Sequence, residues 1–213
     1  MKPPVVGTPD GAPLRMLALG ILLLAGGRAE GLRYFGGSSR SVLQALTPLA
    51  AFFLVALALV VLADLGRGAA ADLLGIAVGF LGQLVLSFEV ARRWGRAAEW
   101  FRFATAFCWC QWAGPMVMAT LMVVVAILIA VGVTLDATAA IATVLLFGYG
   151  LWLHWFLARA ALGLSALRAL ALVVVVNVTT TALVVLPQFA APPPVHPQAQ
   201  SDSGAGPANG SRS

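Results

Sequence analysis

Five long apolar runs constrain this chain more than any other feature of its sequence. Each has at least the roughly 17–25 residues that an α-helix needs to cross the hydrocarbon core of a bilayer. The sequence therefore predicts an all-α fold, a polytopic helical membrane protein with five transmembrane helices. The predicted spans are residues 43–63, 69–91, 103–133, 137–157 and 169–186.

The composition excludes a soluble domain. Hydrophobic residues make up 61% of the 213 residues and charged residues only 10%, whereas soluble domains are about 45–50% apolar and about 25% charged. The connections between the predicted spans are also too short to hold a folded soluble domain. The lipid bilayer is therefore the first predicted partner of this chain.

The segment before the first span is apolar but short. Residues 16–25 would form about 15 Å of helix, roughly half of the hydrocarbon thickness. We predict a short N-terminal interfacial helix that lies on, or dips into, the cytoplasmic face. A further span and a cleaved signal peptide are the alternatives. The signal peptide is suggested by Lys2 and Arg15 before the segment and by a small-residue pattern at Ala25 and Gly27.

The two ends of the chain differ in composition from its middle. Residues 1–13 are rich in proline and predict a flexible N-terminal arm. Residues 188–213 are rich in Pro, Gly, Ser, Ala and Asn, which predicts a disordered C-terminal tail. The membrane helical bundle is therefore predicted over residues 14–187.

Basic residues orient the predicted bundle. With the N-terminus in the cytoplasm, eleven of the thirteen Lys and Arg residues lie inside, and only Arg67 and Arg212 lie outside. Cytoplasmic loops carry such an excess of basic residues. We therefore predict a multi-pass protein of the cell inner (plasma) membrane, with its N-terminus cytoplasmic and its C-terminus outside. Because the basic residues are spread between apolar runs, we predict no nucleic-acid partner.

Tryptophan, proline and glycine mark local departures from simple spans. The six tryptophans fall in the second internal loop, at the start of span three or at the end of span four. This placement predicts contacts with headgroups on the cytoplasmic side.

Pro115 predicts a kink in span three, or the point where an interfacial aromatic segment turns into the membrane. Gly148 and Gly150 predict close packing of span four against a neighbouring helix.

The second predicted span carries a small or polar residue at every fourth position, namely Gly75, Gly79, Gln83 and Ser87. The glycines would let a neighbouring backbone approach, and Gln83 and Ser87 would hydrogen-bond across the contact. Internal helix packing is therefore the favoured interpretation. A substrate path along this stripe is the alternative.

Four other polar residues are candidates for a function within the membrane, namely Glu89, His154, Asn177 and Thr181. Ionisable groups inside spans are costly and often functional, which makes Glu89 a candidate for proton coupling and His154 a candidate ligand or proton relay. The simpler alternatives are an ion pair between Glu89 and Arg93, an interfacial position for His154, and interhelical hydrogen bonds from Asn177 and Thr181.

We predict no catalytic residues, no metal site and no cofactor. The sequence has no Walker-type phosphate loop, no His-Glu-x-x-His motif, no Gly-x-Ser-x-Gly motif and no pair of intramembrane aspartates. Cys108 and Cys110 would point to different sides of a helix, and no nearby histidine completes a zinc set.

Two short motifs accompany this arrangement of spans. One is Gly-Leu-Arg-Tyr-Phe at residues 31–35, and the other is Trp-Phe-Leu-Ala-Arg-Ala-Ala-Leu-Gly at residues 155–163. Over residues 14–187 the chain resembles the Yip family and the small alphaproteobacterial membrane proteins grouped with it. The resemblance implies a non-enzymatic helical bundle that organises membrane or binds other membrane proteins. The acidic and aromatic signature of eukaryotic members is missing, so their Rab-type GTPase partner is not carried over.

Three classes of function are compatible with the sequence. We favour a non-enzymatic, membrane-organising scaffold or adaptor, whose partners are other membrane proteins or a second copy of the chain. A small permease or channel acting as an oligomer is the alternative, with Gln83, Glu89, His154 and Asn177 along its path. Against it, the spans show no inverted repeat. An intramembrane enzyme is the third class, and it lacks a nucleophile–base pair.

Overall fold

Seven α-helices and one short 3-10 helix make up residues 14–190, the part of the chain that the computed structural model describes. The all-α prediction is confirmed over these residues. By length and composition, α2, α3, α6 and α7 are each able to cross a membrane. In order, the elements are α1 (Leu14–Ala25), the 3-10 helix (Ala29–Tyr34), α2 (Ser39–Leu62), α3 (Gly66–Arg93), α4 (Ala97–Cys110), α5 (Ala113–Ala130), α6 (Leu135–Leu162) and α7 (Ala166–Ala190).

The prediction of five long spanning helices is wrong at the third span. Residues 103–133 do not form one helix, because α4 ends at Cys110 and α5 begins at Ala113. Pro115 lies in the first turn of α5. A proline has no amide hydrogen to donate to the carbonyl four residues earlier, which favours an interruption here, although α2 continues through Pro48. The interruption expected at Pro115 is thus a break between two helices.

The ends of the predicted bundle shift only slightly. Residues 188–190, which we assigned to the tail, are the last residues of α7. The first predicted span also begins earlier than residue 43, since α2 begins at Ser39, where the Ser38 hydroxyl accepts a hydrogen bond from the Ser41 amide and caps the helix. The predicted flexible arm, residues 1–13, and residues 191–213 of the predicted tail lie outside the described residues.

The long helices alternate in direction. α3 and α7 run antiparallel, because Gln83 contacts Asn177 while Gly79, one turn earlier, lies beside Thr180 and Val184. α6 and α7 form a second antiparallel pair, joined by only three residues. It follows that α4 starts at one end of the bundle and α5 finishes at the other, so the two helices make a single passage between them.

Charge divides the two ends of the bundle. We call one the arginine-rich end, where α2, α4 and α7 begin and α3 and α6 end. The opposite end carries Asp64, Arg67, Asp72 and Asp136. The arginine-rich end carries Arg40, Arg92, Arg93, Arg96, Arg102, Arg159 and Arg168.

The buried core lies in the half of the bundle toward the arginine-rich end, and α4 is at its centre. Seven of the fourteen residues of α4 are buried, and this helix contacts α1, α2, α3 and α6. Phe103 and Phe107 stack on each other with ring centroids 5.8 Å apart. The opposite half is looser, since Thr138 is the only buried residue between Leu135 and Leu151.

A hairpin formed by α1 and the 3-10 helix packs against this core. A Cβ added at Gly31 would lie 2.8 Å from the Gly20 carbonyl oxygen, so the two halves of the hairpin touch there. At its tip, the Ala25 carbonyl accepts a hydrogen bond of 3.0 Å from the Tyr149 hydroxyl, near the midpoint of α6. The sequence analysis missed the 3-10 helix, and the interfacial position of α1 stays a prediction.

Candidate functional site

A chain of hydrogen bonds joins three helices inside the bundle. The Gln83 side-chain amide of α3 donates to Asn177 Oδ1 of α7 at 3.4 Å. Asn177 Nδ2 lies 3.3 Å from His154 Nδ1 of α6 and donates to the Val173 carbonyl at 2.8 Å. Polar groups away from water need such partners, because lipid offers none. Three residues singled out in the sequence therefore lie together.

The last residue in this chain of hydrogen bonds is His154, which packs against two phenylalanine rings. The imidazole is 5% exposed and lies 5.0 Å from the Phe107 ring and 6.0 Å from the Phe103 ring, centroid to centroid. Its Nε2 atom has no hydrogen-bond partner among the described residues. His154 is thus a buried residue of the core half, with one ring nitrogen in the chain and the other facing apolar groups.

The glycines of α3 face α7, as internal packing of the stripe requires. A Cβ added at Gly79 would lie 3.5 Å from Thr180 Cγ2, and one added at Gly75 would lie 3.7 Å from Val184 Cγ1. These are ordinary van der Waals distances, so alanine would fit at either position. Gly148, by contrast, has nothing within 4 Å of an added Cβ in the described part of the chain, and the same holds for Gly150. Neither packs against a neighbouring helix as we predicted.

Ser87 and Glu89 lie apart from the hydrogen-bond chain. The Ser87 hydroxyl accepts a 3.0 Å hydrogen bond from Trp100 Nε1 of α4 and donates to the Leu84 carbonyl. The Glu89 carboxylate forms ion pairs with Arg92 at 2.8 Å and Arg93 at 2.9 Å, both on its own helix. Its charge is thus balanced locally at the arginine-rich end.

A partly open cavity of about 1070 Å³ lies beyond the end of α4, and its lining residues Phe52, Ile76 and Phe147 are each more than half exposed. In the core half α4 fills the centre, whereas in the opposite half α4 has ended and α5 packs chiefly against α6. α2, α3, α6, α7 and the α4–α5 break line the resulting space, and the apolar lining includes Phe52, Phe80, Phe147 and Val184. The helix break therefore creates the cavity.

Several polar residues are among those that line this cavity. Gln83, Gln111, Trp112, Thr180 and Thr181 are among its lining residues. Trp112 Nε1 and Thr180 Oγ1 are buried and have no hydrogen-bond partner within residues 14–190. A buried donor without a partner costs about 1–3 kcal/mol, so these two atoms are exceptional. The polar lining residues distinguish the cavity from a second one of about 430 Å³, which only apolar residues of α2 and α3 line.

Only some residues of this site were predicted from the sequence. Gln83 and Thr181 were singled out, and Thr181 lines the cavity although it has no part in the hydrogen-bond chain. Gln111 was missed, and Trp112 was interpreted only as one of the tryptophans near the headgroups. The available signal was Pro115, since a helix that breaks just before a proline exposes its last turn to the interior.

The described residues contain no group of three or more His, Cys, Asp or Glu side chains placed to hold a metal ion. Cys108 and Cys110 are both buried in α4 as free thiols. Comparisons with protein-family models, with curated proteins and with solved structures gave no match.

Proposed function

We propose that this chain is a non-enzymatic membrane protein that acts as a scaffold or adaptor for other membrane proteins. Four helices of spanning length support a membrane location. The excess of arginine at one end supports an inner-membrane orientation with that end in the cytoplasm and the C-terminus outside. The resemblance of the motifs at residues 31–35 and 155–163 to the Yip family implies a non-enzymatic helical bundle, as the proposal does.

The observation that carries the proposal is that polar residues within the helices form hydrogen bonds or ion pairs with other residues of the bundle. Gln83, Asn177 and His154 bond to one another and connect α3, α7 and α6. Glu89 is held by Arg92 and Arg93 on its own helix. His154, Asn177 and Glu89 are thus engaged by other residues of the bundle, which supports a scaffold, whereas Gln83 also lines the cavity.

A permease or channel that acts as an oligomer is the second candidate, and the cavity is the observation in its favour. A path through the protomer would also have to open toward the arginine-rich end. There Phe103 and Leu157 are at most 1% exposed and Phe107 is 7% exposed, which closes that half of the bundle. The packing therefore favours the scaffold.

The test is purification of the tagged chain in native nanodiscs, followed by quantitative mass spectrometry of all retained proteins. We expect a second membrane protein at a near-stoichiometric ratio. A homo-oligomer that retains no other protein and catalyses solute flux in vesicles would contradict the scaffold and support the permease.

Substitution of Glu89→Gln separates the two candidates. We expect the same partner at the same ratio, because the Glu89 carboxylate contacts only arginines of its own helix. The measurement is the partner-to-chain ratio in native nanodiscs, with the unaltered chain as the control. Loss of a transport phenotype in this variant, at normal expression, would favour the permease.

A further inference from the structure

The N-terminal hairpin, made of α1 and the 3-10 helix, turns back well below the arginine-rich end. At its tip the Ala25 carbonyl accepts a hydrogen bond from Tyr149, and a Cβ added at Gly27 would lie 3.1 Å from the Trp152 ring. Trp152 and Tyr149 precede Arg159 on α6, and they lie about 10 and 15 Å deeper along this helix. The tip therefore lies about 10–15 Å below the level of Arg159.

The outer face of α1 is apolar. Met16, Leu19 and Leu22 are 45%, 43% and 53% exposed, whereas Gly20 and Leu24 on the other side are buried. After its first turn α1 has no charged residue, although the exposed face of a helix that lies on a membrane surface is usually charged. If the chain spans a membrane, as proposed above, this face of the hairpin contacts acyl chains.

The turn of the hairpin places an arginine at this depth. Gly27, with a φ of +75°, ends α1, and the Arg28 amide donates a hydrogen bond of 2.8 Å to the Leu23 carbonyl. The Arg28 side chain is exposed and forms no ion pair with any described residue, including the exposed Glu30 two positions later. An arginine among acyl chains is costly unless an anion pairs with it or the bilayer thins around it.

Phosphate is the anion that a phospholipid bilayer supplies. A guanidinium binds phosphate well, because its planar fork donates two parallel hydrogen bonds to phosphate oxygens. Arg33, on the returning arm of the hairpin, is already engaged, since it donates to the Tyr34 hydroxyl at 2.8 Å and lies over the Tyr34 ring. Arg28 is thus the better placed of these two arginines to bind a lipid.

We propose that Arg28 binds the phosphate of a phospholipid from the leaflet at the arginine-rich end, and holds this headgroup below the level of its neighbours. The acyl chains of the bound lipid lie against the exposed face of α1 at Leu19 and Leu22. The membrane is then locally thinned beside the hairpin. This lipid site rests on the proposed membrane location, but it needs no protein partner, so it and the scaffold function can fail separately.

The test is native mass spectrometry of the full chain in detergent micelles, titrated with dioctanoyl phosphatidylcholine and, separately, with dioctanoylglycerol. The two lipids have the same acyl chains, and the first carries a phosphate without a net charge, so general attraction to the arginine-rich end is not measured. We expect the first molecule of phosphatidylcholine to bind at least about 10-fold more tightly than dioctanoylglycerol, as for a hydrogen bond to a charged group.

Arg28→Gln should abolish this preference, and Arg28→Lys, which keeps the charge, should retain part of it. The matched control is Arg168→Gln, because Arg168 is also exposed and also forms no ion pair within residues 14–190, but lies in the first turn of α7 at the arginine-rich end. The control should keep the full preference.

Three outcomes would overturn the lipid site. The first is equal affinity of the unaltered chain for the two lipids, a comparison that needs no variant to fold. The second is an equal loss of preference in Arg28→Gln and Arg168→Gln. The third is competition by inorganic phosphate, which would show a site for a soluble anion and not for a lipid headgroup.

Discussion

At the scale of single residues, Asn177 makes the most polar contacts inside the bundle. Its side chain accepts from Gln83, donates to the Val173 carbonyl and lies within hydrogen-bond distance of His154. Its loss would leave the Gln83 amide and the His154 Nδ1 atom without the contacts that they now make. In membrane proteins a single interhelical hydrogen bond contributes about 0.6 kcal/mol on average.

We expect Asn177→Leu to lower the free energy of unfolding by about 1–2 kcal/mol, because it removes two interhelical contacts and leaves their partners buried. The measurement is an equilibrium unfolding titration with SDS in mixed micelles. Thr143→Val is the control, since the Thr143 hydroxyl is exposed and donates to the Ala139 carbonyl of its own helix. Equal effects of the two substitutions would show that the chain of hydrogen bonds contributes nothing to stability.

Residue identity alone could predict only some of this site. Gln83, His154 and Asn177 are conspicuous because they are polar residues inside apolar runs. That Asn177 reaches both of the others depends on how α3, α6 and α7 pack, which no local pattern specifies. The position of Trp112 was missed for a different reason, since a tryptophan after an aromatic segment looks the same at a membrane surface as at the end of an interior helix, and only Pro115 marked the interruption.

At the scale of elements, the N-terminal hairpin depends on glycine for its close packing, whereas the stripe on α3 does not. A Cβ at Gly31 would lie 2.8 Å from both the Gly20 carbonyl oxygen and Leu24 Cγ, whereas one at Gly79 would lie at an ordinary distance from α7. Contacts below 3 Å to backbone require the chain to move. The close approach that the sequence suggested for α3 thus occurs between α1 and the 3-10 helix.

We expect Gly31→Val to separate the hairpin and loosen its contact with α4, because overpacking of a tight contact costs about 1–3 kcal/mol. The two native cysteines report this change, since both are buried in α4. Their reaction with a maleimide should be several-fold faster in Gly31→Val than in the unaltered chain. Gly79→Ala is the matched control and should react at the unaltered rate, and equal rates for the two variants would contradict the prediction.

Element boundaries followed from the sequence where the apolar runs end in polar residues, as at both ends of α3. The boundary between α4 and α5 did not follow from the sequence, because the apolar run of the third predicted span continues across the break between Cys110 and Ala113. The hydrophobicity of a segment indicates whether it can be buried in lipid or protein. It does not indicate whether the segment forms one helix or two. Pro115 marked the interruption, and tertiary packing decided how far α5 departs from the line of α4.

At the scale of the whole molecule, the arrangement of charge makes a prediction about orientation. An alkaline phosphatase fused after Ser213 should be active, and a green fluorescent protein fused at the same position should be dark, because an odd number of passages places the C-terminus outside. The controls are the same reporters fused after Trp94, at the arginine-rich end, where the result should be reversed. A fluorescent fusion after Ser213 would contradict this orientation.

The difference in packing between the core half around α4 and the looser opposite half affects how the protein is inserted and assembled. By length and composition, α2, α3, α6 and α7 are each suited to enter a bilayer one at a time as the ribosome delivers them. α4 is not, because it has only fourteen residues and includes Glu99 and Arg102. Its buried face is completed by α6, which is synthesised later. We therefore expect α4 to reach its packed position only after α6 has been synthesised. Chains that stop before α6 should then be targets of membrane quality control.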